Sequence, residues 1–377
     1  MKRNRHIIKT AAMAVLCTVI VCFALLSTTL SSCKGVADGT KQGDTIHFKY
    51  ATLITAVKYD GYTEVSIANP WDKGKTLHRY ALMPQGSTKK EVHGSTMIST
   101  PLKHSVVFTT VHCALLQDLK AANAIAGVCD LEYIKLPEIQ QACKEGSVID
   151  CGDAFTPDIE KIITLNADAL LLSPFENSGG YGKLDGLDIP VIECAEYMEP
   201  TPLGRAEWMK FYGMLYGKQE LADSLFNEVE KHYQQICKQA KAEQSAKPKV
   251  MMDKMTSGTW YVPGGQSTMA TLINDAGGNY IFSSDTHSGS VPMNFEAVLD
   301  KCHDADIWIY RYSGNKDLAK EDKKYLQFKP LKQGQAWGCD VSSTLFYEVT
   351  PFHPDLLLEE FHNIIKGKRT NNSFFSL

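Results

Sequence analysis

The longest uninterrupted pattern of apolar and polar positions in this chain is a helical one. Its apolar positions recur every three or four residues, at Leu221, Leu225, Val229, Tyr233 and Ile236. Residues at this spacing lie on one face of an α-helix, and Glu, Gln and Lys, which are good helix formers, occupy most of the other positions. No Pro or Gly interrupts the stretch. The pattern therefore predicts one helix about 35 Å long.

The patterns on both sides of this helix alternate between strands and helices. Before it, β-branched apolar runs pass directly into helical patterns, as in SVVFTTVHCALLQDL from Ser105, and Tyr59–Tyr62 is a hairpin signal. After Lys249 the alternation restarts with a new apolar run. Strands that alternate with helices indicate a mostly parallel sheet. We therefore predict two α/β lobes connected by the helix Gln219–Ala242; the alternative is a surface helix of one large domain.

Two segments, one in each predicted lobe, repeat the same arrangement. The first segment, PDIEKIITLNADALLL, starts near the N-cap residue Asp158 and has Glu160 two positions later. The second segment, MNFEAVLDKCHDADIWIY, starts near the N-cap residue Asn294 and has Glu296 two positions later. A carboxylate in the first turn of a helix is stabilised by the helix dipole by about 0.3–1 kcal/mol, which explains either glutamate alone. It does not explain why the position recurs. The recurrence indicates that a symmetric partner could recognise both carboxylates.

The first 32 residues have the pattern of an export signal. Basic residues precede an uncharged run, and its apolar core is shorter than the roughly 20 residues of a membrane span. The run ends in Leu-Ser-Ser-Cys, a bacterial lipobox, so we predict that Cys33 is acylated and anchors the protein. The alternative is an uncleaved transmembrane anchor. The predicted boundaries are a signal peptide at 1–32, a flexible tether at 33–45, an N-terminal lobe at 46–203, helices including the connecting helix at 204–246, and a C-terminal lobe at 247–377.

Length, charge and motifs narrow the class of protein. A chain of 377 residues is long enough for two domains, and a net charge of −4 provides no basic surface for nucleic acid. The cysteines after Cys33 show no C-x-x-C or zinc-site spacing; we expect most to be buried and Cys143 to pair with Cys151. No G-x-S-x-G, H-E-x-x-H or full G-x-G-x-x-G motif supports an enzyme.

Several stretches of the chain, taken in order, resemble the periplasmic binding proteins that deliver ferric siderophores, haem or cobalamin to ABC importers. That resemblance, from about Thr45 to the last residue, implies an α/β fold with two Rossmann-like lobes joined by one long helix. One stretch departs from the family, with Ala167 where Pro is usual. The similar stretches are HSVVFTTVHCALLQDLKAANAIAGVCD, TPDIEKIITLNADALLLS, GRAEWMKFYGMLYGKQELADSLFNEVE, GTWYVPGGQSTMATLINDAGG and PFHPDLLLEEF.

The resemblance implies a function in transport. We expect a monomeric, lipid-anchored periplasmic protein that captures an iron complex, either a siderophore or haem, and delivers it to the membrane subunits of an ABC importer. Cobalamin or another corrinoid is the alternative ligand, and an exported α/β enzyme or an adhesion lipoprotein are the alternatives of other classes. We expect no catalytic residues, no cofactor, no resident metal and no nucleic-acid partner. Glu160 and Glu296 match the two glutamates that pair with arginines of the importer.

Ligand contacts are expected on loops that follow strands, because ligands of parallel α/β sheets bind beyond the carboxyl ends of the strands. A bulky metal chelate favours aromatic side chains with a few polar anchors. Glycines around Trp260 and Tyr261 predict that both lie in a loop. His112 could ligate haem or another metal, or act as a hydrogen-bonding group, and Arg311 could pair with an anionic ligand. The candidates are His112, Phe175, Tyr181, Trp260, Tyr261, Tyr312 and Trp337.

Overall fold

A computed structural model describes most of the chain after the export signal. The lipobox and Cys33 lie outside it, so the lipidation of Cys33 stays a prediction. Within the part of the chain that is described, no helix combines the length and the apolar character needed to cross a bilayer. The described residues are 43–88, 91–176, 180–243, 247–314, 316–368 and 374–376.

The described chain begins with a sheet of five strands. These are β1 (Asp44–Ile46), β2 (Ile54–Tyr59), β3 (Tyr62–Ala68), β4 (Thr76–Pro84) and β5 (Thr96–Thr100). Neighbours are antiparallel except β4 and β5, which are parallel. The predicted hairpin is present between β2 and β3, and Gly61 takes the positive φ of +83° that its tight turn requires. Since β1 starts at Asp44, the sheet includes the last residues of the predicted tether.

The first parallel sheet follows. Its strands are β6 (Ser105–Val107), β7 (Ile125–Val128), β8 (Ile149–Asp150), β9 (Ala169–Leu172) and β10 (Val191–Glu193), and its helices are α1 (Thr110–Asp118), α2 (Pro137–Glu145) and α3 (Ile159–Thr164). The strand order is β10-β9-β6-β7-β8. All neighbouring strands are parallel, as the alternation of strands and helices predicts.

Three consecutive helices connect this sheet to the second one: α4 (Pro202–Glu207), α5 (Met209–Leu215) and α6 (Gln219–Ala242). The prediction of a single helix over 219–242 is confirmed. Its buried residues, however, are Ala222, Phe226, Val229, Tyr233, Ile236 and Ala240.

The buried face of α6 therefore differs from the predicted stripe at its N-terminal end. Leu221 and Leu225 are only partly buried. A spacing of four residues exceeds the helical repeat of 3.6, so a stripe built on it drifts around the helix. Ala222 and Phe226 are buried in place of Leu221 and Leu225. The packing of α5 on α6 requires a small residue here, because a Cβ at Gly213 of α5 would come within 2.6 Å of the Ala222 Cβ.

The remaining strands form a second parallel sheet and a small antiparallel sheet. They are β11 (Lys249–Met252), β12 (Met255–Thr256), β13 (Thr259–Pro263), β14 (Asn279–Tyr280), β15 (Ser290–Met293), β16 (Ile307–Tyr312), β17 (Ala336–Asp340) and β18 (Phe375–Ser376). The second parallel sheet has the strand order β14-β11-β16-β17-β18 and is parallel throughout except for β18. The antiparallel sheet has the order β12-β13-β15. The helices are α7 (Thr268–Asp275), α8 (Phe295–Cys302), α9 (Leu318–Glu321), α10 (Lys329–Lys332), α11 (Phe346–Val349) and α12 (Pro354–Ile365).

The core runs through α6. The larger apolar cluster joins side chains of the N-terminal sheet, α6 and the second parallel sheet, while a smaller cluster lies between the first parallel sheet and α3. On the far side, α12 packs along α6, and His232 of α6 pairs through Nδ1 with the Asp355 carboxylate at 2.8 Å. One helix thus contributes apolar surface to both halves of the fold.

The cysteines that the structure describes are all free thiols, and most of them are buried. The predicted disulfide between Cys143 and Cys151 is therefore wrong. The Cys151 sulfur instead lies 3.7 Å from the Ile149 carbonyl oxygen, within the smaller apolar cluster. Burial raises the pKa of Cys151 and that of Cys339 to about 11. These residues act as small apolar side chains.

Two buried carboxylates hold residues 49–53 against the helices that precede α6. Glu207 accepts hydrogen bonds from the first three backbone amides of this segment at 2.7–3.0 Å, and Glu199 accepts from the next two at 2.8–3.0 Å. Lys210 Nζ donates to Glu207 at 3.0 Å, and Trp208 Nε1 donates to Glu199 at 2.8 Å. The N-terminal sheet is therefore attached to the helical connection through two buried carboxyl side chains.

We expect Glu207→Ala to destabilise the protein, because it leaves three backbone amides, that of Ala51 buried and the other two partly buried, without an acceptor. The free energy of unfolding should fall by about 3 kcal/mol, measured by urea denaturation. Glu228→Ala, on the exposed face of α6, is the matched control and should change it by less than about 0.5 kcal/mol. Equal losses in the two variants would contradict an anchoring function for Glu207.

Candidate functional site

Exposed aromatic side chains follow three strands of the first parallel sheet. Tyr133 comes after β7, Phe155 after β8 and Phe175 after β9, and they are 63%, 83% and 50% exposed. The carboxyl ends of parallel strands meet at one edge of a sheet, where ligands of such folds bind. Phe175 was predicted as a ligand contact. Tyr133 and Phe155 were not; Tyr133 follows a strand whose apolar pattern is recognisable, which was a usable signal, while Phe155 follows a strand of only two residues.

An ion pair lies at the carboxyl edge of the second parallel sheet. Arg311, near the end of β16, donates from Nε and Nη2 to the two carboxylate oxygens of Asp253, which follows β11, at 2.9 and 2.6 Å. Burial opposes the charge of the guanidinium, but Asp253 outweighs this effect and raises the pKa of Arg311 further. Because Asp253 already neutralises it, Arg311 is not the unpaired cation that an anionic ligand would require. Tyr347 of α11, 45% exposed, is a further aromatic residue on this side.

The two carboxyl edges meet at one junction. The buried Glu348 of α11 accepts hydrogen bonds from the Thr110 hydroxyl at 2.9 Å and from the Lys135 amide at 3.2 Å. Nearby, His353 Nε2 lies 3.0 Å from a carboxylate oxygen of Asp118. Helix α11 follows β17, and α1 follows β6, so the loops beyond both sets of strands face each other across this junction.

His112 lies in the interior rather than on the exposed edge. It belongs to α1 and is 1% exposed. Its Nδ1 lies 2.5 Å from the Thr109 hydroxyl, and its Nε2 lies 2.9 Å from the Tyr212 hydroxyl and 3.2 Å from a carboxylate oxygen of Glu196. The Cys194 thiol belongs to the same cluster.

The two titratable groups of this cluster shift each other's pKa. Burial disfavours the imidazolium of His112, but Cys194 and Glu196 outweigh that effect and raise the pKa of His112 to about 10. Burial disfavours the carboxylate of Glu196, but His112 outweighs it and lowers the pKa of Glu196 to about 2. Both side chains are therefore ionised at neutral pH and form a buried ion pair.

The loop predicted around Trp260 and Tyr261 is wrong, because both residues lie in strand β13. Successive side chains of a strand point to opposite faces. Trp260 is fully buried, stacks on Trp308 with ring centroids 5.7 Å apart, and donates from Nε1 to the Met252 carbonyl oxygen. Tyr261 faces outwards and is 49% exposed.

The remaining candidates differ in their exposure. Trp337 is buried in β17. Tyr312 is half-buried, with its ring centroid 5.9 Å from that of Tyr310. Tyr181 is half-buried and donates its hydroxyl to the Glu193 carboxylate at 2.7 Å. The predicted set is thus divided between the core and the edges of the sheets.

Glu160 and Glu296 occupy matching positions in the two lobes. Each lies exposed in the first turn of its helix, α3 or α8. The predicted N-caps are confirmed: Asp158 accepts from the Lys161 amide at 3.1 Å, and Asn294 accepts from the Ala297 amide at 2.8 Å. Both helices lead into parallel strands, so both glutamates lie near a carboxyl edge. Among the described residues, neither carboxylate has a hydrogen-bond or ion-pair partner.

Comparison with known proteins identifies the family. Residues 106–334 match the family model described as periplasmic binding protein. The chain belongs to this family of periplasmic binding proteins. The predicted fold class, two Rossmann-like lobes joined by one long helix, is confirmed.

Individual relatives agree with this assignment. An uncharacterized lipoprotein of Methanocaldococcus jannaschii is 26% identical over 86% of this chain and 84% of its own. A periplasmic heme binding protein from Pseudomonas aeruginosa has a TM-score of 0.56 at 15% identity, covering 73% of this chain and 97% of that one. An ABC-type Fe3+-hydroxamate transport system structure from Saccharomonospora viridis has a TM-score of 0.55 at 15% identity, covering 70% and 93%. At such identities the structural likenesses define the fold.

Glu348→Ala should loosen the junction between the two edges, because it removes the acceptor shared by Thr110 and Lys135. We expect faster hydrogen exchange at the Lys135 amide and in α11, while the strands of the first parallel sheet keep their protection. Glu220→Ala, at an exposed position of α6, is the control and should leave exchange at Lys135 unchanged. An unaltered rate at Lys135 in Glu348→Ala would exclude this junction.

Proposed function

We propose that this protein is a lipid-anchored substrate-binding protein that captures an iron complex, a ferric siderophore or haem, between its lobes for an ABC importer. The observation that carries the proposal is membership of the periplasmic binding protein family over residues 106–334. The proposed lobes are 46–203 and 247–377, connected by the helices in 204–246. The protein acts as a monomer, with the membrane subunits of the importer as its partner.

The exposed aromatic residues support an apolar, bulky ligand. Tyr133, Phe155 and Phe175 at one carboxyl edge, and Tyr347 at the other, leave large apolar side chains in contact with water. Covering one such ring contributes about 1.5–3 kcal/mol, so a chelate with flat or apolar faces gains affinity from each ring that it covers. The pairing of Arg311 with Asp253 favours ligands that do not need an unpaired cation for recognition.

Lipid anchoring is supported by the sequence and by the relatives. The stretch Leu-Ser-Ser-Cys ends at Cys33, and the similar archaeal protein is called a lipoprotein. Acyl chains on Cys33 contribute about 0.8 kcal/mol per buried methylene. A short polar stretch then separates the anchor from β1, which starts at Asp44. The folded part would stay close to the membrane that contains the importer.

Ligand capture is tested by titrating the tryptophan fluorescence of the full chain, purified in detergent, with a ferric trihydroxamate, haemin and cyanocobalamin. We expect saturable quenching by one of the two iron complexes. Phe155→Ala should raise Kd about tenfold, which corresponds to about 1.4 kcal/mol of lost contact. Saturation by cyanocobalamin alone would replace the iron complex with a corrinoid.

The control for this titration is Leu326→Ala, which truncates another exposed apolar side chain, 45% exposed, in the segment between β16 and β17. It should leave Kd unchanged. A protein that binds none of the three ligands would contradict the proposed capture. An equal loss of affinity in Phe155→Ala and Leu326→Ala would contradict the assignment of the aromatic edge as the contact surface.

Glu160 and Glu296 are proposed as the transporter-docking residues. Each exposed ion pair contributes only about 0–1 kcal/mol, so the pair would fix the orientation on the importer more than the affinity for it. We expect Glu160→Ala combined with Glu296→Ala to keep Kd for the ligand and to abolish uptake in cells that express the cognate importer. Glu220→Ala with Glu228→Ala, on the exposed face of α6, should keep both. Normal uptake by the Glu160/Glu296 double variant would remove this assignment.

A further inference from the structure

A second group of reactive side chains lies inside the first lobe and takes no part in ligand capture as proposed above. His112 offers Nε2, Cys194 offers Sγ and Glu196 offers a carboxylate oxygen, and these atoms lie within 4.8 Å of one another. Each residue is at most 1% exposed. Elsewhere in the described residues, no other three His, Cys, Asp or Glu side chains come together in this way.

The spacing of the three ligand atoms is close to that of a tetrahedral metal site. In such a site, bonds of about 2.0–2.3 Å place the ligand atoms about 3.5 Å apart. His112 Nε2 and the nearer Glu196 oxygen are already 3.2 Å apart, and the widest separation has to shrink by about 1 Å. Imidazole, thiolate and carboxylate together suit zinc and the metals that replace it, such as cobalt.

Neighbouring groups orient the ligands as they do around protein metals. The Thr109 hydroxyl contacts Nδ1 of His112, which directs Nε2 towards Glu196. The Tyr212 hydroxyl donates to the other oxygen of Glu196 at 3.0 Å. Hydrogen bonds of this kind fix the tautomer of a ligating histidine and the orientation of a ligating carboxylate.

We propose that His112, Cys194 and Glu196 bind one divalent transition metal ion of the zinc and cobalt class. The three side chains supply three ligands of a tetrahedral ion, whose fourth ligand is a water molecule, and they join α1 to the residues that follow β10. Phe352 packs against His112 and Tyr212, with ring centroids 6.3 and 5.9 Å away.

The test is a titration of the full chain, purified in detergent and stripped of metal, with Co²⁺ under reducing conditions. We expect one equivalent to bind, with an intense sulfur-to-cobalt charge-transfer band in the near ultraviolet and visible bands typical of tetrahedral Co²⁺. Binding should release protons, measured with an indicator dye in weak buffer. Zn²⁺ should displace Co²⁺ and abolish both sets of bands.

Matched variants assign the ligands. Cys194→Ser should abolish the charge-transfer band, and His112→Gln should weaken binding at least about 100-fold. Cys339→Ser, which removes another fully buried thiol outside the cluster, should change neither. Absence of the charge-transfer band in the unsubstituted protein would overturn the proposal without reference to any variant. Persistence of the band in Cys194→Ser would overturn it as well, and neither outcome depends on whether the protein captures an iron complex.

Discussion

The attachment of residues 49–53 to Glu199 and Glu207 is the interaction on which the arrangement of the described chain depends. Five consecutive backbone amides find their acceptors in two buried carboxylates. Both carboxyl groups are buried, so they depend on these amides for their hydrogen bonds. They fix the N-terminal sheet to α4, and thereby to the close approach of α5 and α6 at Gly213. The direction in which α6 leaves the first lobe follows from this packing.

Helix α6 extends this packing to the second lobe. One face of the helix contributes to the same apolar cluster as both the N-terminal sheet and the second parallel sheet. The loops beyond the strands of the two sheets then meet at Glu348. The two halves of the fold are therefore related through buried side chains of the helix and through one carboxylate at the opposite edge.

The sequence predicted the large elements well because their signals are local. The bounds of α6 were correct, since an uninterrupted amphipathic pattern without Pro or Gly leaves few alternatives. The N-caps Asp158 and Asn294 were recognisable for the same reason. The parallel sheets followed from the alternation of strands and helices, and the two-lobe arrangement followed from the resemblance to the family.

The candidate site was harder to predict, because burial depends on tertiary packing. Trp260 and Tyr261 are adjacent in sequence, yet one lies in the core and the other faces water, and only the register of β13 determines which. His112 follows a strand, as ligand contacts often do, but it sits on the inner face of α1. Phe155 was overlooked because the two-residue strand β8 gives almost no periodic signal.

The unpaired cysteines of the described chain bear on how this protein folds. No disulfide between them is needed to reach the native state, so their folding does not require a thiol oxidase or a disulfide isomerase. Burial holds thiols such as Cys151 and Cys339 in the protonated form, which reacts poorly with oxidants. The folded protein should keep the same covalent structure in an anaerobic cell envelope and in one exposed to oxygen.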